Sequence, residues 1–151
     1  LAVRVAPHQR PMKERVPAIQ LGPNRYRITS SPGLVEGLAT GDEIELTGEA
    51  LDTFKVLKRG GNFSAWIFFP KEGMNQGPEM TRLQREAAEL GGQLDGGAVT
   101  SLIFTMPASI GFDRIADFFD LAVSRIEGAV WMFANAYDPL TKKPLDWWSR
   151  G

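Results

Sequence analysis

Phe63-Ser64-Ala65-Trp66-Ile67-Phe68-Phe69 is the most hydrophobic run in the chain, and Pro70 closes it. A near-continuous apolar run of this length suits a strand buried on both faces, as at the centre of a sheet. Toward the C-terminus, residues 71–77 are polar, and Pro78 with Glu79 marks the first turn of a helix. Met80, Leu83, Ala87 and Leu90 fall on one stripe, with Arg82, Arg85, Glu86 and Glu89 outside it, and Gly91-Gly92 ends the helix. Gln93-Leu94-Asp95 is a short strand with a turn at Gly96-Gly97. Residues 99–106 make a longer strand, stopped by Pro107. Ile115, Phe118, Phe119, Ala122, Val123 and Ile126 recur at helical spacing within residues 110–126, with Gly128 as the C-cap, and residues 129–134 read as a second greasy strand. Strand, helix, strand, strand, helix, strand is the ferredoxin-like βαββαβ order, assigned to residues 63–136. Right-handed crossovers would put the Trp66 and Trp131 strands side by side at the centre, with both helices on one face.

Toward the N-terminus the pattern shortens. In residues 16–62, alternating stretches such as Pro17-Ala18-Ile19-Gln20-Leu21, Arg25-Tyr26-Arg27-Ile28-Thr29, Glu43-Ile44-Glu45-Leu46-Thr47 and Thr53-Phe54-Lys55-Val56-Leu57-Lys58 are separated by turn residues. Gly22-Pro23-Asn24 makes a hairpin of the first two, and Gly41 supplies a positive φ in the turn before the third. Strands with one apolar face need a second layer or closure on themselves, so the expectation is a small, partly open β-barrel-like unit packed on the ferredoxin-like one. The class is α+β. Residues 1–15 read as a basic lead-in interrupted by Pro7 and Pro11, and residues 137–151 as a Trp-containing tail.

Composition sets limits. The chain has 151 residues, 17 basic and 18 acidic side chains and a formal charge of -1, giving no overall pull toward nucleic acid or anionic lipid. No apolar run reaches the roughly 20 residues of a membrane span, and residues 1–6 are too short and polar for a signal-peptide core. With no Cys and a single His, His8, thiolate nucleophiles, zinc-thiolate sites and two-His metal motifs are excluded. The phosphate-cradling and nucleophile-elbow patterns G-x-x-x-x-G-K-S/T, G-x-G-x-x-G and G-x-S-x-G are absent as well. The sequence calls for no cofactor and no metal.

Some clusters could still carry function. Asp113, Asp117 and Asp120 line one side of the second helix, either as a solvated face or as an acidic stripe that docks on a basic partner; a metal would need ligands from elsewhere. Trp147 and Trp148 are large apolar surfaces near the chain end, which either fold back on the body or anchor a partner. The first 27 residues carry six basic side chains against one acid, Glu14, which reads as a phosphate-binding arm or a solvated lead-in. Lys58-Arg59-Gly60-Gly61-Asn62-Phe63 echoes an RNA-recognition signature, displaced from its usual strand, and an open aromatic sheet face could stack bases unless the first unit covers it. Glu43 and Glu45 share the solvent face of one strand, while Ser64 and Ser109 have no base implied by spacing.

Asn24-Arg25-Tyr26-Arg27-Ile28, Gly37-Leu38-Ala39-Thr40-Gly41-Asp42-Glu43-Ile44, Phe54-Lys55-Val56 and Arg59-Gly60-Gly61-Asn62 together resemble the bacterial domain of unknown function 4265 family, with its Tyr-Arg strand, Gly-Leu-Ala-x-Gly-Asp turn and Gly-rich stretch before an aromatic strand. The likeness spans residues 16–134 and leaves out the lead-in and the Trp-Trp tail. It implies a bacterial, cytoplasmic, two-part α+β protein and carries over no catalytic residue.

The missing reactive groups, the acidic stripe and the Trp-rich tail lead to a non-enzymatic binding protein that meets another protein through Asp113, Asp117, Asp120, Trp147 and Trp148. An immunity or antitoxin-like protein occluding a toxin is its sharpest form. The alternatives are a nucleic-acid module using the basic N-terminus and sheet aromatics, and a small hydrolase working through carboxylates.

Overall fold

The computed structural model describes residues 1–5 and 12–150; Pro7, His8, Arg10 and Pro11 of the lead-in lie outside the described residues. Within them the chain is α+β, with ten strands in three antiparallel sheets and two α-helices. No described helix is long and apolar enough to cross a membrane.

Two short strands, β1 (Ala2–Arg4) and β2 (Lys13–Arg15), pair with each other. The lead-in is therefore paired structure where it is described, and Val3 is fully buried. A four-stranded meander follows: β3 (Ala18–Gly22), β4 (Arg25–Ile28), β5 (Glu43–Thr47) and β6 (Thr53–Lys58), in that order. Tyr26, Ile28, Ile44, Leu46, Phe54 and Val56 face inward at period two and pack with Val3, Val16, Val35 and Leu38.

This sheet stays open, where the sequence suggested a barrel-like unit. Its outer strands β3 and β6 do not pair. The β1–β2 ribbon and the loop of residues 29–42 cover its apolar face instead, with Arg4 N–H donating to the Asp52 carbonyl at 2.7 Å. Side chains that can be buried under a ribbon and a loop need no closure.

The second half supplies β7 (Asn62–Phe68), α1 (Pro78–Leu90), β8 (Gln93–Ala98), β9 (Ser101–Pro107), α2 (Phe112–Ser124) and β10 (Val130–Phe133). The sheet order is β10-β7-β9-β8, antiparallel throughout. Pro78 opens α1, and Gly91, in the left-handed region, caps it. The second helix is shorter than the expected 110–126: Gly111, at φ 108°, separates a single 3-10 turn from α2, and Arg125 caps the other end.

The Trp66 and Trp131 strands are neighbours, but the second central strand is β9, and β10 is an edge. The tight β8–β9 hairpin places β8 outside β9, and Leu102-Ile103-Phe104-Thr105-Met106 is buried on both faces as fully as β7. On one face Phe63, Ala65, Ile67, Leu102, Phe104 and Met106 meet Met80, Leu83 and Ala87 of α1 and Ile115, Phe119 and Ala122 of α2.

The other face, with Trp66, Ile103 and Ala134, is covered by the 29–42 loop. Trp66 is 6% exposed, and its indole donates to the Pro32 carbonyl at 3.1 Å. Ser31 N–H and Thr105 Oγ1 both donate to the Asp95 carboxylate, tying loop to sheet. Two turns also touch here: a Cβ on Gly60 would sit 2.3 Å from the Gly41 carbonyl carbon, so that contact requires glycine.

Glu14 holds the same loop from the other side. Its carboxylate accepts the N–H groups of Gly33, Leu34 and Val35 at 2.8 to 2.9 Å. Glu14→Ala strands three amides and should cost about 2 kcal/mol. Glu14→Gln, which keeps one acceptor oxygen, should recover part of the loss in urea unfolding; equal stability of wild type and Glu14→Ala would refute the bracing role.

Candidate functional site

The Phe-x-x-x-Ala spacing of Phe112 and Ala116 puts both on one side of α2, and that side forms a wall of a cleft of about 510 Å³. Its floor is Trp131, Met132 and Phe133 of β10. The opposite wall is Tyr137, Asp138, Pro139 and Lys142, with Glu36 at one end. The rings are locked by their neighbours. Phe112 stacks on Phe133 with centroids 4.8 Å apart, and Trp131 stacks on Phe119 at 5.2 Å. A floor held this way is preformed, as ligand-accepting clefts tend to be.

The helical repeat places Asp120, Asp113 and Asp117 next around the helix from Phe112 and Ala116, so the acidic stripe runs along α2 beside this cleft, outside the residues that line it. All three are exposed. Asp120 Oδ1 accepts the indole N–H of Trp131 at 2.8 Å, which fixes one carboxylate to the floor. Across the cleft, Asp138 Oδ1 accepts the N–H groups of Leu140 and Thr141 at 2.8 and 2.9 Å. Those amides, Thr141's first, together with nearby Lys142, hold the Asp138 carboxyl below its ordinary range. Two carboxylates, Glu36 and Asp138, and one ammonium, Lys142, thus line the aromatic cleft, with a third carboxylate, Asp120, bonded to its floor.

Trp147 and Trp148 fold back. Trp147 lies 4.8 Å from the Phe63 ring and donates its indole N–H to the Asn135 carbonyl at 2.9 Å. Trp148 stacks on Phe112 at 5.0 Å, with the planes 4° apart. The two indoles are half-buried and support the cleft wall from behind.

The other candidate residues do not gather here. Glu43 is taken by Arg27 at 2.9 Å on the outer face of the first sheet. Ser64 is fully buried. Arg59 turns inward, donating to Asp42 Oδ2 at 3.1 Å and the Gly37 carbonyl at 2.8 Å, and lies over the Trp147 ring. Of the basic lead-in, Arg4 and Lys13 flank Asp52 at 3.0 and 3.6 Å. Among the described residues no three groups of metal-ligating type converge.

Sequence reasoning found the acidic stripe but missed its setting. Glu36 lies in a segment without periodicity, and the wall of residues 137–142 had only the Asp138-Pro139 pair as a turn signal. Tyr137 and Pro144 form an isolated bridge that closes this wall into a loop.

A family model described as Domain of unknown function (DUF4265) matches residues 14–130, and the chain belongs to that family. The chain is also similar to a hypothetical protein from Neisseria gonorrhoeae of known crystal structure. The two are 14% identical with a TM-score of 0.58, over 82% of this chain and 83% of that one, which shows a shared fold alone. No curated protein matches.

Proposed function

We propose that this DUF4265 protein is a non-enzymatic binding protein that docks a basic partner protein in the aromatic cleft beside the acidic stripe of α2. One observation supports the reading: a preformed apolar cleft of Phe112, Ala116, Trp131 and Phe133 has Glu36 and Asp138 in its lining and Asp120 bonded to Trp131, and the helical repeat sets Asp113 and Asp117 beside it on the exposed side of α2. Aromatic anchors ringed by charge are how interfaces combine affinity with choice of partner. An immunity or antitoxin-like role follows if the partner's cationic surface is its working surface, because covering it needs shape and charge and no chemistry. The ferredoxin-like plan of residues 63–136 is supported by the fourth-first-third-second order of its strands, and it presents α2 beside an edge strand where a partner can reach both.

The test is capture from the native host with wild type and Asp113→Asn/Asp117→Asn as parallel baits, followed by titration of the purified captured protein. A single basic protein whose affinity falls roughly tenfold with the double variant, and falls again with salt, is the expected result. Capture of nucleic acid alone, or of a protein indifferent to the double variant, would overturn the reading. Turnover of a small compound by the purified chain, abolished by replacing one carboxylate, would do the same.

A further inference from the structure

The floor of the cleft is three consecutive residues of one strand, Trp131, Met132 and Phe133. Successive side chains of a strand point to opposite faces of the sheet. All three can line one cavity only if that cavity runs along the strand's edge. β10 is such an edge, paired on one side with β7. Ala134 N–H donates to the Ser64 carbonyl at 2.8 Å, which sets the parity of the ladder. Ala134, Met132 and Val130 turn their main-chain groups toward β7, while Trp131 and Phe133 turn theirs toward the cleft. The Ala134 carbonyl is already taken by Gly37 N–H at 2.7 Å, so Ala134 has no acceptor to offer a further strand.

We infer that the partner enters this cleft as an extended basic segment, adding to β10 as a fifth antiparallel strand; this rests on the docking reading above. Main-chain hydrogen bonds to Trp131 and Phe133 supply the register, and alternate side chains of the segment face α2. At those positions Lys or Arg fits best. The stem lies on Phe112 and Ala116 while the charged head reaches Asp113, Asp117 or Asp120. Val130, 59% exposed, extends the apolar edge. The sheet's opposite edge, β8, is kinked by a register shift between Leu94 and Gly96. A second copy of β10 is a poor occupant, because pairing two copies brings together two clefts that each carry Glu36 and Asp138, with the Asp residues of α2 beside them.

The probe is the heptapeptide Lys-Val-Lys-Val-Lys-Val-Lys, titrated against the full chain by tryptophan fluorescence and amide exchange. Two backbone N-methylated versions accompany it, one methylated at the Lys nitrogens and one at the Val nitrogens. In antiparallel addition the Lys residues lie opposite Trp131 and Phe133, so methylating Lys should weaken binding about tenfold while methylating Val leaves it unchanged. The amides of Trp131 and Phe133 should gain protection on binding the unmethylated peptide. If both methylated peptides bind as the parent does while Asp113→Asn/Asp117→Asn weakens all three, docking on the acidic cleft stands and strand addition falls. Parent binding that is absent, or indifferent to that double variant, removes the docking reading and the inference together. Dimerisation of the chain that the peptide reverses would give the edge to a second copy and overturn the inference.

Discussion

Arg59→Ala should lower the free energy of unfolding by about 3 to 5 kcal/mol at neutral pH, because it strips a buried carboxylate of its countercharge. Asp42 is 0% exposed and accepts from Ala39 N–H at 3.0 Å, Gly60 N–H at 2.9 Å and Arg59 at 3.1 Å. Loss of the guanidinium also leaves the Gly37 carbonyl without its donor and removes the cation from the Trp147 ring. Burial pushes the Asp42 carboxyl above its ordinary value, and the Gly60 amide, the Arg59 charge and the Ala39 amide offset that only in part.

The sign of the pH dependence follows from that direction. A carboxyl raised in the folded state binds a proton more readily folded than unfolded, so its burial penalty is felt above the folded pKa and relieved as pH falls through it. Without Arg59 the carboxyl rises further, so the deficit of the variant shrinks on acidification while pH is still above the ordinary value of 3.8. Asp52 runs the other way: the hydrogen bond from Arg4 holds it below that value. Its stabilisation is complete above 3.8 and is lost as pH falls through the lowered folded value. Urea unfolding of Arg59→Ala and Arg4→Ala across pH 3 to 7 should therefore show two separate windows. A deficit for Arg59→Ala that holds constant down to pH 4 would refute the assignment.

These contacts mark the limit of what periodicity can reveal. The double-faced run of residues 63–69, the stripe from Met80 to Leu90 and the Asn24 turn each encode their element within a few neighbouring residues, and each formed. The 29–42 loop has no period. Its path is set by carboxylates that collect backbone amides, and two of these, Glu14 and Asp95, lie about 20 and 64 residues from the amides they hold. A lone acid in a basic lead-in looks like a solvated charge, and Glu14 is instead the receptor for three donors. The openness of the first sheet was hidden for the same reason: whether β3 meets β6 depends on what else covers Val35 and Leu38. At the site, the spacing of Asp113, Asp117 and Asp120 showed the stripe, but the cleft beside it needed walls from residues 36 and 137–142.

Truncation after Leu145 tests how far the tail belongs to the core and to the site at once. Residues 147 and 148 bring two half-buried indoles onto Phe63 and Phe112, and removing both should cost about 4 kcal/mol, or roughly 10 °C in melting temperature for a chain of this size. The cut leaves the neighbouring wall intact, because Leu145 N–H still donates to the Ala136 carbonyl at 2.9 Å and Tyr137 still bridges Pro144. It strands the Asn135 carbonyl and uncovers one face of Phe112, whose other face stacks on Phe133 and helps form the cleft wall. Trp148→Ala alone removes the Phe112 stack but keeps the Trp147 hydrogen bond, so it should show about half the loss in stability and most of the loss in affinity. A tail that served only as a partner's anchor would give the opposite pattern, an unchanged melting temperature with weakened binding. Stability and binding should instead fall together, because the ring that Trp148 supports is the ring the partner's side chains would rest against.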